Sequence, residues 1–349
     1  MYSGLVTLSC ALLFASEALA SCAHGTSLHK RAEGGTVEVK NFGYVGVTGP
    51  LNWVALDAGA NILCATGSRQ SPIDMVEGQF TLVPASGLGI QIPDFAEGAE
   101  FENLGTNVEV IAQGGSMTVN NVAFNLQQFH FHLPSEHLDA GVSHAMEMHM
   151  VWESEAGQIA VVGVYIDVEG AEAGAAPAEG AAPAEGTPAA NASAEAAPAA
   201  RRRSARFAPR DEVVPLKKTT APIAKRAATT LLETIFASVD AIAQPGTATK
   251  TQPLAMSELV DILNAGDLQN YSGSLTTPPC SEGVTWFVST QKLQISAANF
   301  GRARDVIGFN SRFPQNQLGQ PNILALSSAM LATPQIQAAA LSQRLGLSH

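Results

Sequence analysis

The sequence predicts a mainly β (α+β) protein: one domain built on a large, mostly antiparallel, twisted sheet with peripheral helices. Three observations predict it. Short segments rich in β-branched and aromatic residues, bounded by Gly, Asn and Pro, outnumber segments of helical period. Hydrophobic residues are 46% of the chain and charged residues 14%, which suits a sizeable core rather than a disordered chain. The 349 residues would hold two average domains, but the low-complexity tract in the chain reads as an insert into one domain, not a linker between two.

In chain order, TVEVKNF (36–42), NVEVIA (107–112), SMTVNNVAF (116–124), FNLQQFHFH (124–132), EMHMVW (147–152), QIAVVGVYI (158–166) and GVTWFV (283–288) read as strands. They alternate apolar with polar residues, or run apolar with β-branched side chains. Helical period is confined to LLETIFASV (231–239), MSELVDIL (256–263) and SAANFGRARDVI (296–307). These few amphipathic segments fit the periphery of a sheet.

The chain opens with an apolar run, Leu5 to Ala15, followed by the small-residue site Ala18-Leu19-Ala20, so residues 1–20 read as a secretory signal peptide. The run is well short of the ~20 residues that span a bilayer. Residues 21–31 end in Lys30-Arg31, which resembles the processing site of secreted fungal precursors, and read as a propeptide. The domain then occupies 32–168 and 231–349, with the insert at 169–230. Within the insert AAPAEG repeats at Ala175 and Ala181, and Arg201-Arg202-Arg203 and Lys225-Arg226 offer dibasic sites where nicking is tolerated.

Of four cysteines, Cys10 lies in the signal and Cys22 in the propeptide, leaving Cys64 and Cys280. An even pair in an oxidising compartment reads as one disulfide, with two buried thiols as the alternative. Asn191-Ala-Ser, in the exposed insert, fits the acceptor sequence of a secreted glycoprotein; Asn270-Tyr-Ser has the same pattern but adjoins the SLTTPPC stretch, and the sequence leaves the use of both open. The net charge of −12 argues against nucleic acid as a partner.

Three of the eight histidines fall in the ten residues QFHFHLPSEH, Gln128 to His137. On a strand, His130 and His132 share one face, about 7 Å apart, while Phe129 and Phe131 take the other. His149, alternating with Met148 and Met150, could supply a third imidazole from a neighbouring strand. Three neutral imidazoles with one open position make a catalytic zinc site; an HxH pair alone is more often a pair of satisfied or surface histidines with no metal. Gln128 and Glu147, each two residues before a candidate ligand, could accept the far N–H of its ring. His137 and His144 fall outside the strand register and are left out of the ligand set, and Glu136 is a carboxylate just past the strand. In SGSLTTPPCSEGVTW, Ser272 to Trp286, two prolines preclude a central strand and make a rigid loop that presents the hydroxyls of Thr276 and Thr277.

Taken together, QFHFHxxSEH, ExH, SLTTPPC and VTW in this order resemble the α-class carbonic anhydrases. FGYVG, Trp53, RQSPID (Arg69 to Asp74) and FNSRF (Phe309 to Phe313) extend the resemblance over the chain outside the insert. It implies a sheet of about ten strands with zinc, Zn2+, at the floor of a conical cleft. His130, His132 and His149 would be its ligands, oriented by Gln128, Glu147 and the Asn310 backbone. Thr276 would accept a hydrogen bond from zinc-bound hydroxide and donate its own to Glu136, with Tyr271 behind Thr276. Thr277 would line the bicarbonate position, and Val151, Val161, Leu275, Val284 and Trp286 the apolar wall that receives carbon dioxide. Cys64 and Cys280 match the disulfide of extracellular members.

The implied activity is reversible hydration of carbon dioxide to bicarbonate and a proton, without an organic cofactor. Carbonic anhydrases are themselves the reference case for zinc lowering the pKa of a bound water from about 15.7 to about 7. Two departures stand out. Thr106 occupies the position where fast members carry a shuttle histidine, and Arg312-Phe313-Pro314 replaces Arg-Pro. The competing readings are a non-catalytic zinc-binding or adhesion protein on the same fold, and a zinc esterase.

Overall fold

The computed structural model describes residues 37–170 and 229–331, which belong to one of the two units into which the chain divides. The segments read as signal and propeptide, with Cys10 and Cys22, residues 171–228 of the expected insert, with Asn191, and the C-terminal His349 lie outside the described residues.

Short helices α1 (Trp53–Leu56) and α2 (Leu63–Thr66) precede seven strands: β1 (Thr81–Pro84), β2 (Glu100–Asn103), β3 (Val108–Ile111), β4 (Ser116–Val119), β5 (Val122–His132), β6 (Met146–Ser154) and β7 (Ile159–Val168). After the insert come α3 (Thr230–Phe236), β8 (Ala248–Lys250), α4 (Met256–Asn264), β9 (Asp267–Ser274), β10 (Glu282–Ser289), β11 (Leu293–Ile295), α5 (Ala297–Ile307) and α6 (Ile323–Leu331). All eleven strands join one sheet, in the order β1-β9-β10-β7-β6-β5-β3-β2-β8, with β4 on β5 and β11 on β7.

Most pairings are antiparallel, as expected, but β7 runs parallel to both β10 and β11. Parallel neighbours need long crossovers, and the chain between β7 and β10 is long enough to supply one. Two segments depart from expectation. SMTVNNVAF is not one strand but a hairpin, turned at Asn120 (φ 49°) and Asn121 (φ 65°), a left-handed pair that asparagine tolerates well. Residues 37–42 of TVEVKNF form no strand. That segment is held by side chains instead, since Phe42 packs edge-on against Trp53 with ring centroids 5.5 Å apart.

The period-2 alternation of β5 and β6 sorts the two faces of the sheet. Phe129, Phe131, Met148 and Met150 enter the larger core, where α3 and α4 cover them through Leu231, Leu232, Phe236, Leu259 and Leu263. Phe131 and Phe236 meet with ring centroids 4.8 Å apart. The opposite face carries the histidines and a second apolar cluster. Asn270 sits half-buried on β9 with its amide donating to the Trp286 carbonyl at 2.9 Å, so this acceptor is engaged within the sheet.

Candidate metal centre

The β5–β6 register places His130 opposite His149 and His132 opposite Glu147. Since His130 and His132 point to the same face, three imidazoles converge, with ring centroids 5.1, 5.4 and 4.5 Å apart. One nitrogen from each lies within 4.8 Å of the others. The remaining nitrogens are tied down. Nδ1 of His130 bonds Gln128 Oε1 at 2.8 Å, Nδ1 of His132 donates to the Asn310 carbonyl at 2.9 Å, and Nε2 of His149 lies 2.9 Å from Glu147 Oε1. These contacts fix each ring's tautomer and direction.

Burial dominates the titration of all three rings. It lowers the pKa of His132 to about 4, that of His130 well below its usual value with help from the neighbouring rings, and that of His149 less far. Neutral imidazoles are the form that binds metal. Nε2 of His132 is buried with no hydrogen-bond partner among the described residues. A buried polar nitrogen costs ~1–3 kcal/mol if left unsatisfied, and a cation among the three rings satisfies it, so these residues fit a metal ion.

His137, left out of the ligand set, forms a second candidate group with Glu147 and His149. Its atoms are committed elsewhere: Nδ1 lies 2.7 Å from Glu147 Oε1, and Nε2 lies 2.7 Å from the Tyr271 hydroxyl, which also meets Ser71 Oγ at 2.8 Å. Tyr271 is therefore bonded behind His149, through His137 and Glu147, rather than behind Thr276. Burial opposes ionisation of Glu147, yet His137 and His149 hold its carboxyl well below the usual range. Its other oxygen accepts the backbone N–H groups of Glu136 and His137 at 2.9 and 2.8 Å.

Glu136 is fully buried beside the centre, with Oε1 3.4 Å from His132 Nδ1 and accepting the Arg312 backbone N–H at 2.8 Å. Burial raises its pKa to about 7, against the lowering effects of His149, the Arg312 N–H and the Thr276 hydroxyl. Oε2 makes no hydrogen bond of good geometry among the described residues, so Thr276 faces this carboxylate without closing on it. Thr276 and Thr277 are both buried in the loop between β9 and β10. Val151, Val161, Val284 and Trp286 gather in one apolar cluster with Leu275 against it. Cys64 and Cys280 form a disulfide that closes this loop onto α2. Thr106 lies in the β2–β3 turn, buried, its carbonyl accepting from the Asn310 amide at 3.3 Å.

The residues that periodicity missed are His137, Ser71, Gln70 and Arg312. All act through hydrogen bonds made across the fold, and strand alternation carries no signal for these.

The family model for eukaryotic-type carbonic anhydrase matches residues 48–173 and 220–321. The chain belongs to the eukaryotic-type carbonic anhydrases. A carbonic anhydrase structure from Aspergillus oryzae superposes with a TM-score of 0.64 at 31% identity, covering 82% of this chain and 98% of that one. Carbonic anhydrases of Nostoc and Neisseria gonorrhoeae are 28% and 27% identical over 79% and 90% of this chain, and 80% and 94% of theirs. A Thermovibrio ammonificans α-carbonic anhydrase solved with the inhibitor sulfanilamide has a TM-score of 0.56 at 26% identity, covering 81% of this chain and 97% of that one. This carbonic anhydrase is accordingly an enzyme, a lyase that hydrates carbon dioxide reversibly, and its substrate is a small molecule. No helix among its described residues is long and apolar enough to cross a membrane.

Proposed function

We propose that this carbonic anhydrase is a secreted zinc enzyme in which His130, His132 and His149 hold the ion. The observation that carries the assignment is the trio of imidazoles kept neutral by burial, each with its far nitrogen bonded and one near nitrogen buried without a partner. When bound, zinc lowers the pKa of a water so that a nucleophile is available at neutral pH. Glu147, Gln128 and the Asn310 carbonyl hold the rings in place. With the ion in place, Thr276 would accept a hydrogen bond from the nucleophile and turn its own proton to Glu136, so that a lone pair of the nucleophile would face carbon dioxide. The substrate rests against Val151, Val161, Leu275, Val284 and Trp286, where apolar walls hold no water in competition, and Thr277 faces the bicarbonate product.

Secretion is supported by the N-terminal pattern and by the Cys64–Cys280 disulfide, which an oxidising compartment preserves. Metal analysis of the secreted chain should give one zinc. His132→Ala should lose both metal and carbon dioxide hydration in stopped-flow measurements. Full activity in His132→Ala freed of zinc contradicts the assignment.

A further inference from the structure

Gln70 and Arg312 are buried polar side chains, 3% and 2% exposed. They connect the two halves of the proposed Thr276–Glu136 pair. On one side, the Arg312 backbone N–H donates to Glu136 Oε1 at 2.8 Å, and its guanidinium is pinned by the Ser71 carbonyl at 2.7 Å and by the Trp53 ring at 5.5 Å. On the other, Gln70 Oε1 accepts from Arg312 Nη2 at 3.0 Å while Gln70 Nε2 donates to the Cys280 carbonyl at 3.0 Å. Cys280 in turn donates its N–H to the Thr277 carbonyl at 2.8 Å, inside the loop that carries both threonines.

A continuous chain of direct bonds therefore runs from Glu136 through Arg312, Gln70 and Cys280 to the threonine loop. Both ends of the Gln70 amide are used, and Nε2 has a second acceptor in Glu282 Oε1 at 3.2 Å, which also takes the Arg69 N–H at 2.7 Å. Gly67 leaves the space: a Cβ there would collide with both Gln70 Nε2 and Glu282 Oε1. Away from water, removing one member leaves its partners unsatisfied, so the geometry at each end depends on the middle.

We infer that Gln70 and Arg312 are positioning residues that set the separation of Glu136 from the Thr276–Thr277 loop. The inference rests on the reading of Thr276 and Glu136 given above. A misplacement of about 1 Å, made far from the chemistry, costs up to about 100-fold in rate.

The test is a double-mutant cycle on the full secreted chain carrying one zinc, read as kcat/KM for carbon dioxide hydration. Gln70→Met keeps the volume and removes both bonds; Gln70→Glu keeps the acceptor for Arg312 and removes the donor to Cys280. Each should lose about 10- to 100-fold with its zinc retained. In a Thr276→Ala background the same substitution should cost less than about threefold more, because the contact it aligns is already gone. Loss of fold in Gln70→Met leaves the cycle to Gln70→Glu. Undiminished activity in both variants, or an equal fold-loss in the two backgrounds, overturns the inference. If Thr276→Ala alone leaves the rate unchanged, the reading of Thr276 and Glu136 falls, and this inference with it. If Thr276→Ala is slow but the effects multiply, this inference falls alone.

Discussion

Oε1 of the buried Glu147 lies 2.9 Å from Nε2 of His149, which leaves the ring's Nδ1 to face His130 and His132. The carboxylate does this while also accepting from two backbone N–H groups and from His137, so it is held from three directions. Glu147→Gln can keep the two bonds made by one oxygen but puts an NH2 group in place of the other, facing two donors. Metal affinity should fall about 10- to 100-fold, measured by competition with a chelator. Unchanged affinity contradicts the orienting role.

Thr276→Ala tests the other side of the centre. Thr276 is buried next to Glu136 and supplies none of the three imidazoles that converge, so the variant should bind one zinc per chain. The hydration rate should fall roughly 100-fold, the scale for losing one preorganised polar group. Stopped-flow measurement alongside metal analysis separates the two effects, and a rate within threefold of wild type, by about that margin, rejects the role.

The disulfide between Cys64 and Cys280 spans 216 residues of sequence. Chain-entropy arguments give such a long loop about 5 kcal/mol as an upper figure, with typical measured values of about 2–4 kcal/mol. Replacing both cysteines with alanine should lower the free energy of unfolding by about 2–5 kcal/mol in a denaturant titration. A change below about 1 kcal/mol indicates that the reduced chain is already constrained.

Strand alternation puts the three histidines on one face because β5 and β6 are long and central and their pairing is in register from Gln128 to His132, past an irregularity at Leu126–Gln128: His130 and His132 lie two apart, and His149 lies between two core methionines. The same rule failed for residues 37–42, where β-branched residues alternate but only scattered backbone bonds form, such as Lys40 N–H to the Leu104 carbonyl at 3.1 Å. Periodicity says which face a side chain takes, not whether a partner strand arrives. Pairing between distant segments was illegible for the same reason. The parallel placement of β7 beside β10, and the links from Ser71 to Tyr271 and from Arg312 to Glu136, depend on chain paths that local pattern does not encode.

Away from the metal centre, His144 is buried beneath Lys292, with Nδ1 2.7 Å from Asp167 and Nε2 3.6 Å from Asp139, against the Tyr165 ring. Burial lowers the His144 pKa and Lys292 opposes its charge, but the bonds to Asp139 and Asp167 outweigh both and the net shift is upward. Asp139 is shifted down, first by His144 and then by Lys292, against the cost of burial. The raised His144 stabilises the fold below its unfolded pKa of ~6.5 and loses that contribution as pH rises through its folded value; Asp139 stabilises above ~3.9 and loses it as pH falls. The stability difference between wild type and Asp139→Asn, from urea midpoints, should be largest between about pH 4 and 6.5 and shrink on either side. A difference that is flat across the range removes the linkage.

The proton released in each hydration cycle must cross to solvent before the next cycle begins. A group that changes charge near the working pH carries it best, and histidine is the side chain suited to that task. The resemblance in sequence puts Thr106 where such a histidine would serve, and Thr106 neither titrates nor lies open: its hydroxyl is buried without a partner among the described residues, and its carbonyl is taken by Asn310. The five histidines among the described residues are all buried, and each is bonded to a neighbour. Glu109, on β3 opposite His130, is fully buried as well, so it is not a relay that opens to solvent. Turnover should therefore be limited by proton transfer. kcat should rise with the concentration of an imidazole-type buffer, which supplies the missing relay from solution, while kcat/KM, reporting the hydration step, stays nearly constant. Stopped-flow rates at fixed pH and ionic strength over a buffer series decide the matter. If kcat is already high and indifferent to buffer, the chain carries a proton route that does not pass through Thr106.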